Sequence, residues 1–252
     1  KPGLDYFARR RLPMKMIRHF GLGWAPESRF ALVNHLRSKG YSEREMIAAN
    51  VAVETRSGRA MDRFHARVMF PIIDLRGNVV AFGGRILTNE KPKYINTSDT
   101  PVYHKSSGLF AMNFAKNALE NDRIILAEGY MDVISLHKAG IENAIASLGT
   151  ALTAEQARII ARYAKEVVIC YDSDEAGQKA AQRAIPILRG AGLLVRVMAV
   201  PGNKDPDEFI NACGDEGAAR FRRLIEQSGN DVEYRLAKLK SGYDLSNESG
   251  RI

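Results

Sequence analysis

The feature that most constrains this chain is a rhythm that begins near residue 120, where short apolar runs alternate with segments of helical spacing. "RIILA" is followed by "YMDVISLHKAG", "NAIASLG" by "TAEQARIIARYA", and "EVVICYD" by "EAGQKAAQRAIPILRGAG"; "LLVRVMAVP" closes the series. Such alternation predicts an α/β fold, with a mostly parallel sheet flanked by helices on both faces. One helix should open at Thr153, with Gln156 completing a capping-box pattern, and the long one should bend or break at Pro186. Ligands of open sheets collect at the carboxyl ends of the strands. There the sequence places Glu128 and Asp132 in "AEGYMD", Asp172 and Asp174 in "YDSDEAG", and Asp205, Asp207 and Glu208 in "GNKDPDE".

Taken singly, these acids have ordinary explanations: Asp174 as a helix N-cap, Asp205 as a turn residue before Pro206. Together they are harder to explain, because two carboxylates about 4 Å apart repel by about 4 kcal/mol at an effective dielectric of about 20. A hard divalent cation removes that cost. Mg²⁺, and Mn²⁺ with the same ligands, takes a few carboxylates plus water and substrate phosphate. Two such ions can clamp the attacking and leaving oxygens of a phosphoryl displacement. His65, His104 and His137 share no metal-ligand spacing, so zinc is not expected in this stretch of chain. Cys170 and Cys213 form no CxxC pattern and are expected to be buried apolar fillers in a reducing cytoplasm.

The first half differs in charge. Residues 1–120 carry 20 Lys and Arg against 10 Asp and Glu, whereas 121–252 carry 17 against 19. A basic lobe of this kind fits a polyanion, nucleic acid above all, or is a solvated basic surface. "PESRFALVNHLRSKG" and "SEREMIAANV", the latter with Ser42 and Glu45 in a capping box, read as helices. "RVMFPIIDLRGNVVAFGGRIL" reads as two or three strands turning at "DLRGN", and "NEKPKYINTSDTPVYHKSSG" as a polar surface loop. The expected division is therefore a basic α+β lobe over 1–119, a metal-binding α/β domain over 120–212 and a small helical lobe over 213–252. No apolar run approaches the length needed to span a bilayer and no signal-peptide core opens the chain, so a cytoplasmic protein is expected. The missing initiator Met suggests a piece of a longer chain.

"EGYMD", "YDSDEAG" and "DPDE", in this order, resemble the Toprim pattern shared by bacterial primases, topoisomerases, OLD-type nucleases and RecR-type proteins. "DRFHARVMFPIIDLRGNVVAFGGRIL", "PKYINTSDTPVYHKSSGLF" and "ASLGTALT" resemble specifically the catalytic core of the bacterial DnaG-type primase, from near residue 3 to about residue 212, and the helical tail is also similar. The resemblance implies a DNA-dependent RNA polymerase that makes short primers on single-stranded DNA from NTPs, using two or more Mg²⁺ or Mn²⁺ ions. It implies Glu128 as general base or metal ligand, with Asp132 close by, and Asp172, Asp174, Asp205 and Asp207 as metal ligands. Lys93, Tyr94, Asn96, Arg67, Arg85 and Lys105 then match positions that engage nucleotide phosphates and the template–primer backbone, with Lys93 also assigned to catalysis. Arg63 joins Arg67 as an expected DNA contact. Arg9, Arg10 and Arg11 are either a further DNA contact or a solvated face. "GTALT" offers a helix N-terminus for a phosphate, or is an ordinary turn. The family's zinc-ribbon and helicase-binding modules have no counterpart here, so contact with the replicative helicase is expected only through a module outside this stretch, and the core is expected to be monomeric.

Two other readings stay open. One is a Toprim nuclease, since a topoisomerase would need a further domain carrying its nucleophilic Tyr. The other is a non-catalytic single-stranded DNA-binding module of the RecR type. No groove-reading motif is present, so contact with the DNA backbone and weak base preference are expected.

Overall fold

The apolar alternation of residues 67–86, broken by Asp74 and Gly77, dictates a hairpin, and the first part of the protein is built on it. A computed structural model describes residues 2–148, 151–203, 205–230 and 233. Two compact units are formed, 1–113 and 114–252.

The first unit runs α1 (Pro2–Arg9), α2 (Met14–His19), β1 (Gly23–Ala25), α3 (Ala31–Ser38), α4 (Glu43–Ala48), β2 (Ala52–Glu54), β3 (Ala60–Asp62), β4 (Arg67–Ile73), β5 (Val79–Ile86) and β6 (Tyr94–Asn96); α5 (Met112–Ala115) spans its boundary. The hairpin turn is fixed by Asp74, whose Oδ1 accepts the N–H groups of Arg76 and Asn78 at 2.9 Å each. Gly77 supplies the left-handed residue the turn requires, with φ of 94°. The sheet is antiparallel in the order β1-β4-β5-β6. Val68, Phe70 and Ile72 are buried on one face of β4, and Phe7, Phe20 and Phe110 are buried in the same unit. The Phe20 and Phe110 rings stack at 5.6 Å.

The stretch expected as a surface loop is partly structure. Tyr94–Asn96 pairs with β5, placing Tyr94 opposite Arg85, and Thr97, Thr100 and Tyr103 are buried. The turn-rich composition hid a three-residue strand because so short an element carries no readable period.

A small cluster of Val33, Met46, Ala52 and Ala60 joins α3 and α4 to the β2–β3 ribbon. The Ser42 and Glu45 capping box opens α4 as its sequence predicts. Helix α3 has no side-chain cap of its own. Its first amides, from Leu32 and Val33, donate instead to the two carboxylate oxygens of buried Asp62 on β3, at 2.8 Å each.

The second unit runs β7 (Arg123–Ala127), α6 (Tyr130–Lys138), β8 (Ala144–Ala146), α7 (Ala154–Ala161), β9 (Glu166–Cys170), α8 (Glu175–Gly190), β10 (Leu194–Val197), α9 (Pro206–Ala212), α10 (Gly217–Gln227) and β11 (Gly229–Asn230). The sheet order is β11-β10-β9-β7-β8, with β10, β9, β7 and β8 parallel and β11 an antiparallel edge. Every residue of β7 and β8 is buried, as expected for parallel strands covered on both sides. The Thr153 capping box opens α7.

Three expectations need correction or limits. Helix α8 continues unbroken through Pro186, which forfeits one amide while buried Ala184, Ile185 and Leu188 hold the turn in place. Cys170 is buried but Cys213, just after α9, is only half-buried; both are free thiols. Much of the expected helical tail lies outside the described residues. Its described helix, α10, packs on α9 through Phe221 and Phe209, whose rings are 6.1 Å apart. Arg123, buried at the start of β7, pairs with Glu166 and with Glu226 of α10. Among the described residues no helix is long and apolar enough to cross a membrane.

The remote cap of α3 yields a prediction. Replacing Asp62 by Ala leaves two amides at a buried helix start without acceptors and should cost about 2 to 3 kcal/mol. Asp62→Asn, which retains one acceptor, should cost less. Denaturant unfolding of the two variants checks both the size and the order.

Candidate functional site

The parallel register brings the acids together. Ala127, the last residue of β7, is level with Cys170 of β9 and Ala146 of β8, and Ile169 is level with Val197 of β10. Glu128 and Asp172 therefore emerge side by side. The Oε1 of Glu128 accepts the backbone N–H of Asp172 at 3.0 Å. Asp132 sits one turn into α6, its Oδ2 accepting the N–H of Gly129 at 3.1 Å.

Asp174 and Asp205 are N-caps. The Oδ1 of Asp174 accepts from the Gly177 N–H at 2.8 Å, and the Oδ1 of Asp205 from the Glu208 N–H at 2.7 Å. Each keeps its second oxygen out of the cap. Asp207 is buried, and its Oδ1 accepts from the Asn211 amide at 2.7 Å and from the Ser135 hydroxyl, tying α9 to α6.

Electrostatics record the convergence. Burial raises the Glu128 carboxyl above its ordinary range, and the Asp172 and Asp174 carboxylates add to the shift against the opposing Asp172 N–H. Asp172 is raised by burial and then by Asp205, Asp174 and Glu208. Asp132 is raised furthest, by burial and then by Asp205 and Asp172. Burial is the leading cause in all three, and a neighbouring carboxylate the next.

Crowded carboxylates favour a cation, and all-oxygen donors suit a hard divalent ion. Among the described residues, no three carboxylate, imidazole or thiol side chains close into a ready-made ion cage. The fit is to an open site, in which a few carboxylates share an ion with water and phosphate. Glu128 and Asp172 meet at this sheet edge, with Asp132, Asp174 and Asp205 among the acids that raise them or are raised with them.

The predicted basic residues do not gather as one group. In the first unit a cavity of about 560 Å³ is lined by Arg9, Arg10, Arg85, Lys91 and Lys93, with Glu90 the one carboxylate on its wall. The Arg85 guanidinium lies 4.6 Å from the Tyr6 ring centroid and 5.8 Å from that of Tyr94. Its buried Nε and Nη1 have no acceptor among the described residues. Cross-strand pairing sets the Tyr94 contact, and the bond from the Ile86 N–H to the Lys93 carbonyl holds Lys93 at the same rim.

Arg67 and Arg63 lie outside this lining. Arg67 is buried, its Nη1 directed at the carbonyls of Gly84, Pro92 and Lys93 at 3.3 to 3.4 Å. The Nη2 of Arg63 donates to the Asn96 carbonyl at 2.9 Å. Both thus brace the segment that carries Lys93, Tyr94 and Asn96. Lys105, whose N–H donates to Asp99, and exposed Arg11 also lie apart from the cavity.

Of "GTALT", Gly149 and Thr150 lie outside the described residues, and the amides of Thr153 and Gln156 are already taken by their capping box. Sequence reasoning missed Tyr6, which stacks on Arg85, and Gly177, which packs against Glu128 and Asp172. A glycine in the first turn of a helix was a usable signal of close approach; nothing local marked Tyr6.

Comparison with known proteins agrees with this architecture. Residues 1–116 match the family model of the N-terminal domain of the DNA primase catalytic core, and residues 125–210 match a Toprim-like model. A DNA primase of Clostridium acetobutylicum is 43% identical over 247 residues, covering 98% of this chain and 41% of the relative. A DNA primase domain of Pseudomonas aeruginosa superposes with a TM-score of 0.87 at 38% identity, covering 99% of this chain and 79% of that one. A DnaG primase catalytic domain solved bound to single-stranded DNA gives a TM-score of 0.84 at 36% identity, covering 98% and 80%. The chain spans about two fifths of the length of the full relatives it matches. With both halves matched in order and the solved domains covered to four fifths, the chain belongs to the DnaG-type primase family and corresponds to its catalytic core.

Proposed function

We propose that this chain synthesises RNA primers on single-stranded DNA, joining NTPs with release of pyrophosphate. One observation carries the reading: the parallel register brings carboxylates from separate strand ends together, the Glu128 Oε1 accepting the Asp172 N–H, and burial and neighbouring acids raise the Glu128, Asp132 and Asp172 carboxyls. Bound Mg²⁺ or Mn²⁺ would neutralise that cluster, lower the pKa of the primer 3′-hydroxyl and offset charge on the departing pyrophosphate.

The chain's own residues then have separate tasks. Glu128, Asp172, Asp174, Asp205 and Asp207 hold the ions, with Asp132 behind them. Glu128 is also positioned by the Asp172 N–H to accept the hydroxyl proton, and its raised affinity suits a base. Lys93 and Arg85, with Tyr94 and Asn96 beside them, hold triphosphate. Lys105 and Arg67 engage nucleotide phosphates, and Arg9, Arg10, Arg11, Arg63 and Arg67 meet the DNA backbone, Arg63 and Arg67 also bracing the segment that carries Lys93, Tyr94 and Asn96.

The division of labour proposed is a basic nucleotide- and template-handling lobe over 1–119, a metal-binding domain over 120–212 and a helical lobe from 213. The product is an RNA–DNA hybrid, the chain works as a monomer in the bacterial cytoplasm at the replication fork, and helicase contact belongs to a module outside this sequence.

Two predictions follow from the acids. Asp172→Asn and Asp174→Asn should each lower NTP incorporation on single-stranded DNA by about 100- to 1,000-fold, with DNA binding and fold retained. Wild-type incorporation by either variant would overturn the metal assignment, and degradation of labelled DNA with Mg²⁺ and no NTP would favour the nuclease reading instead.

The second concerns pH. A carboxyl with a raised native pKa binds its proton more tightly folded than unfolded. Its stabilisation is therefore complete below the unfolded value, about 4, and is lost as pH rises through the native value. In chelator, Asp132→Asn should accordingly melt above wild type at pH 7.5, and the gap should close toward pH 4. A gap independent of pH would contradict the crowding of Asp132.

A further inference from the structure

We infer that Gly177 is the positioning residue of the acid cluster: the bare backbone there holds Glu128, Asp172 and Asp174 in reach of one another. The inference rests on the metal-dependent reading above. Gly177 is buried in the first turn of α8. Its backbone is not left-handed, so conformation does not call for glycine. Glycine inside a helix is disfavoured relative to alanine, so something else must require it.

Space is what requires it. A Cβ at 177 would lie 2.1 Å from the Asp172 carbonyl oxygen and 2.6 Å from the Glu128 Oε1. The Glu128 carboxylate can swing away, but the carbonyl belongs to the turn joining β9 to α8 and can retreat only if that turn moves. The same carboxylate oxygen accepts the Asp172 N–H, and the Gly177 N–H donates to Asp174 at 2.8 Å. Three acids thus meet around one residue: Asp174 on its amide, Asp172 through its carbonyl and Glu128 in the place a methyl would take. A side chain here pushes the turn off the helix and breaks the Glu128 contact while leaving every carboxylate in the sequence.

An internal comparison isolates the effect. Gly190 lies in the same helix, and a Cβ there meets nothing within 4 Å. Gly190→Ala therefore adds the same methyl to the same helix without touching the acids.

The test is a Mn²⁺ titration of the 252-residue chain, followed by the EPR signal of free Mn²⁺ without nucleotide or DNA. Gly177→Ala should bind Mn²⁺ about tenfold more weakly or worse, as expected for residues that orient ligands, with single-stranded DNA affinity unchanged. Gly190→Ala should titrate like wild type. Asp172→Asn separates the two claims: Mn²⁺ binding at wild-type strength in this variant would sink the metal reading itself. Loss in Asp172→Asn with wild-type binding in Gly177→Ala would overturn the role of the glycine alone. Should Gly177→Ala fail to fold, the wild-type protein still decides. On addition of Mg²⁺ the ¹⁵N–¹H resonances of Gly177 and Asp172 should both shift, and their standing still while other resonances at this sheet edge move would refute the inference.

Discussion

Charge repulsion at the carboxyl edge of the parallel sheet is the constraint that the second unit is built to withstand. The acids cannot relieve it by moving apart along the strands, because the register that levels Ala127 with Cys170 is locked by side chains buried on both faces. Ile124, Ile125, Leu126, Val167, Val168 and Ile169 show essentially no exposed surface. Burial of each contributes about 1.5 to 3 kcal/mol, so together they outweigh several kcal/mol of repulsion. A one-residue slip would send every one of these side chains to the opposite face. The sheet therefore fixes the acids in place and leaves neutralisation to protonation or to a ligand.

The first unit shows the complementary condition. Arg85 is held between two aromatic rings, an arrangement that stabilises a guanidinium without cancelling its charge, and two of its buried N–H groups meet no acceptor among the described residues. Arg9, Arg10, Lys91 and Lys93 share its cavity with a single carboxylate. Contrast Arg123, which is buried at the other end of the acidic unit's sheet and answered by Glu166 and Glu226. Arg123 is a structural cation because its charge is spent inside the fold. Arg85, by contrast, has no such carboxylate answer among the described residues for its Nε and Nη1.

Legibility followed period length and locality. The longer elements of the second unit, β7, β9, β10 and α6 to α8, stood out because each was long enough to show its period or was bounded by caps such as Thr153 and Asp174, whereas the two-residue β11 lay unread inside a stretch expected to be helical. The acids were legible because parallel topology fixes where strand ends go. Strand β6 was not, being only three residues inside a turn-rich stretch. The unbroken course of α8 through Pro186 was set by tertiary packing that outweighs a local penalty. Arg67 and Arg63 were legible as cations, but their hydrogen bonds to carbonyls far along the chain depend on the fold around them. The Asp62 cap on α3 lies some thirty residues from the amides it satisfies, beyond any local pattern.

Asp174 and Asp205 show why capping and ion binding are not competing explanations. An N-cap needs one carboxylate oxygen, and that bond to the helix N-terminus holds the side chain in a fixed rotamer. What remains is a second oxygen, oriented by the first at no further entropic cost. Glu128 is handled likewise by the Asp172 N–H, and Asp132 by that of Gly129. The backbone amides around the cluster thus take one oxygen from each of four acids and partly offset their charge. Such amides cannot supply a full positive charge, and burial and neighbouring acids keep the Glu128 and Asp132 carboxyls raised despite them. Amide bonds set the geometry of the cluster, and the unanswered remainder of its charge sets what it can bind.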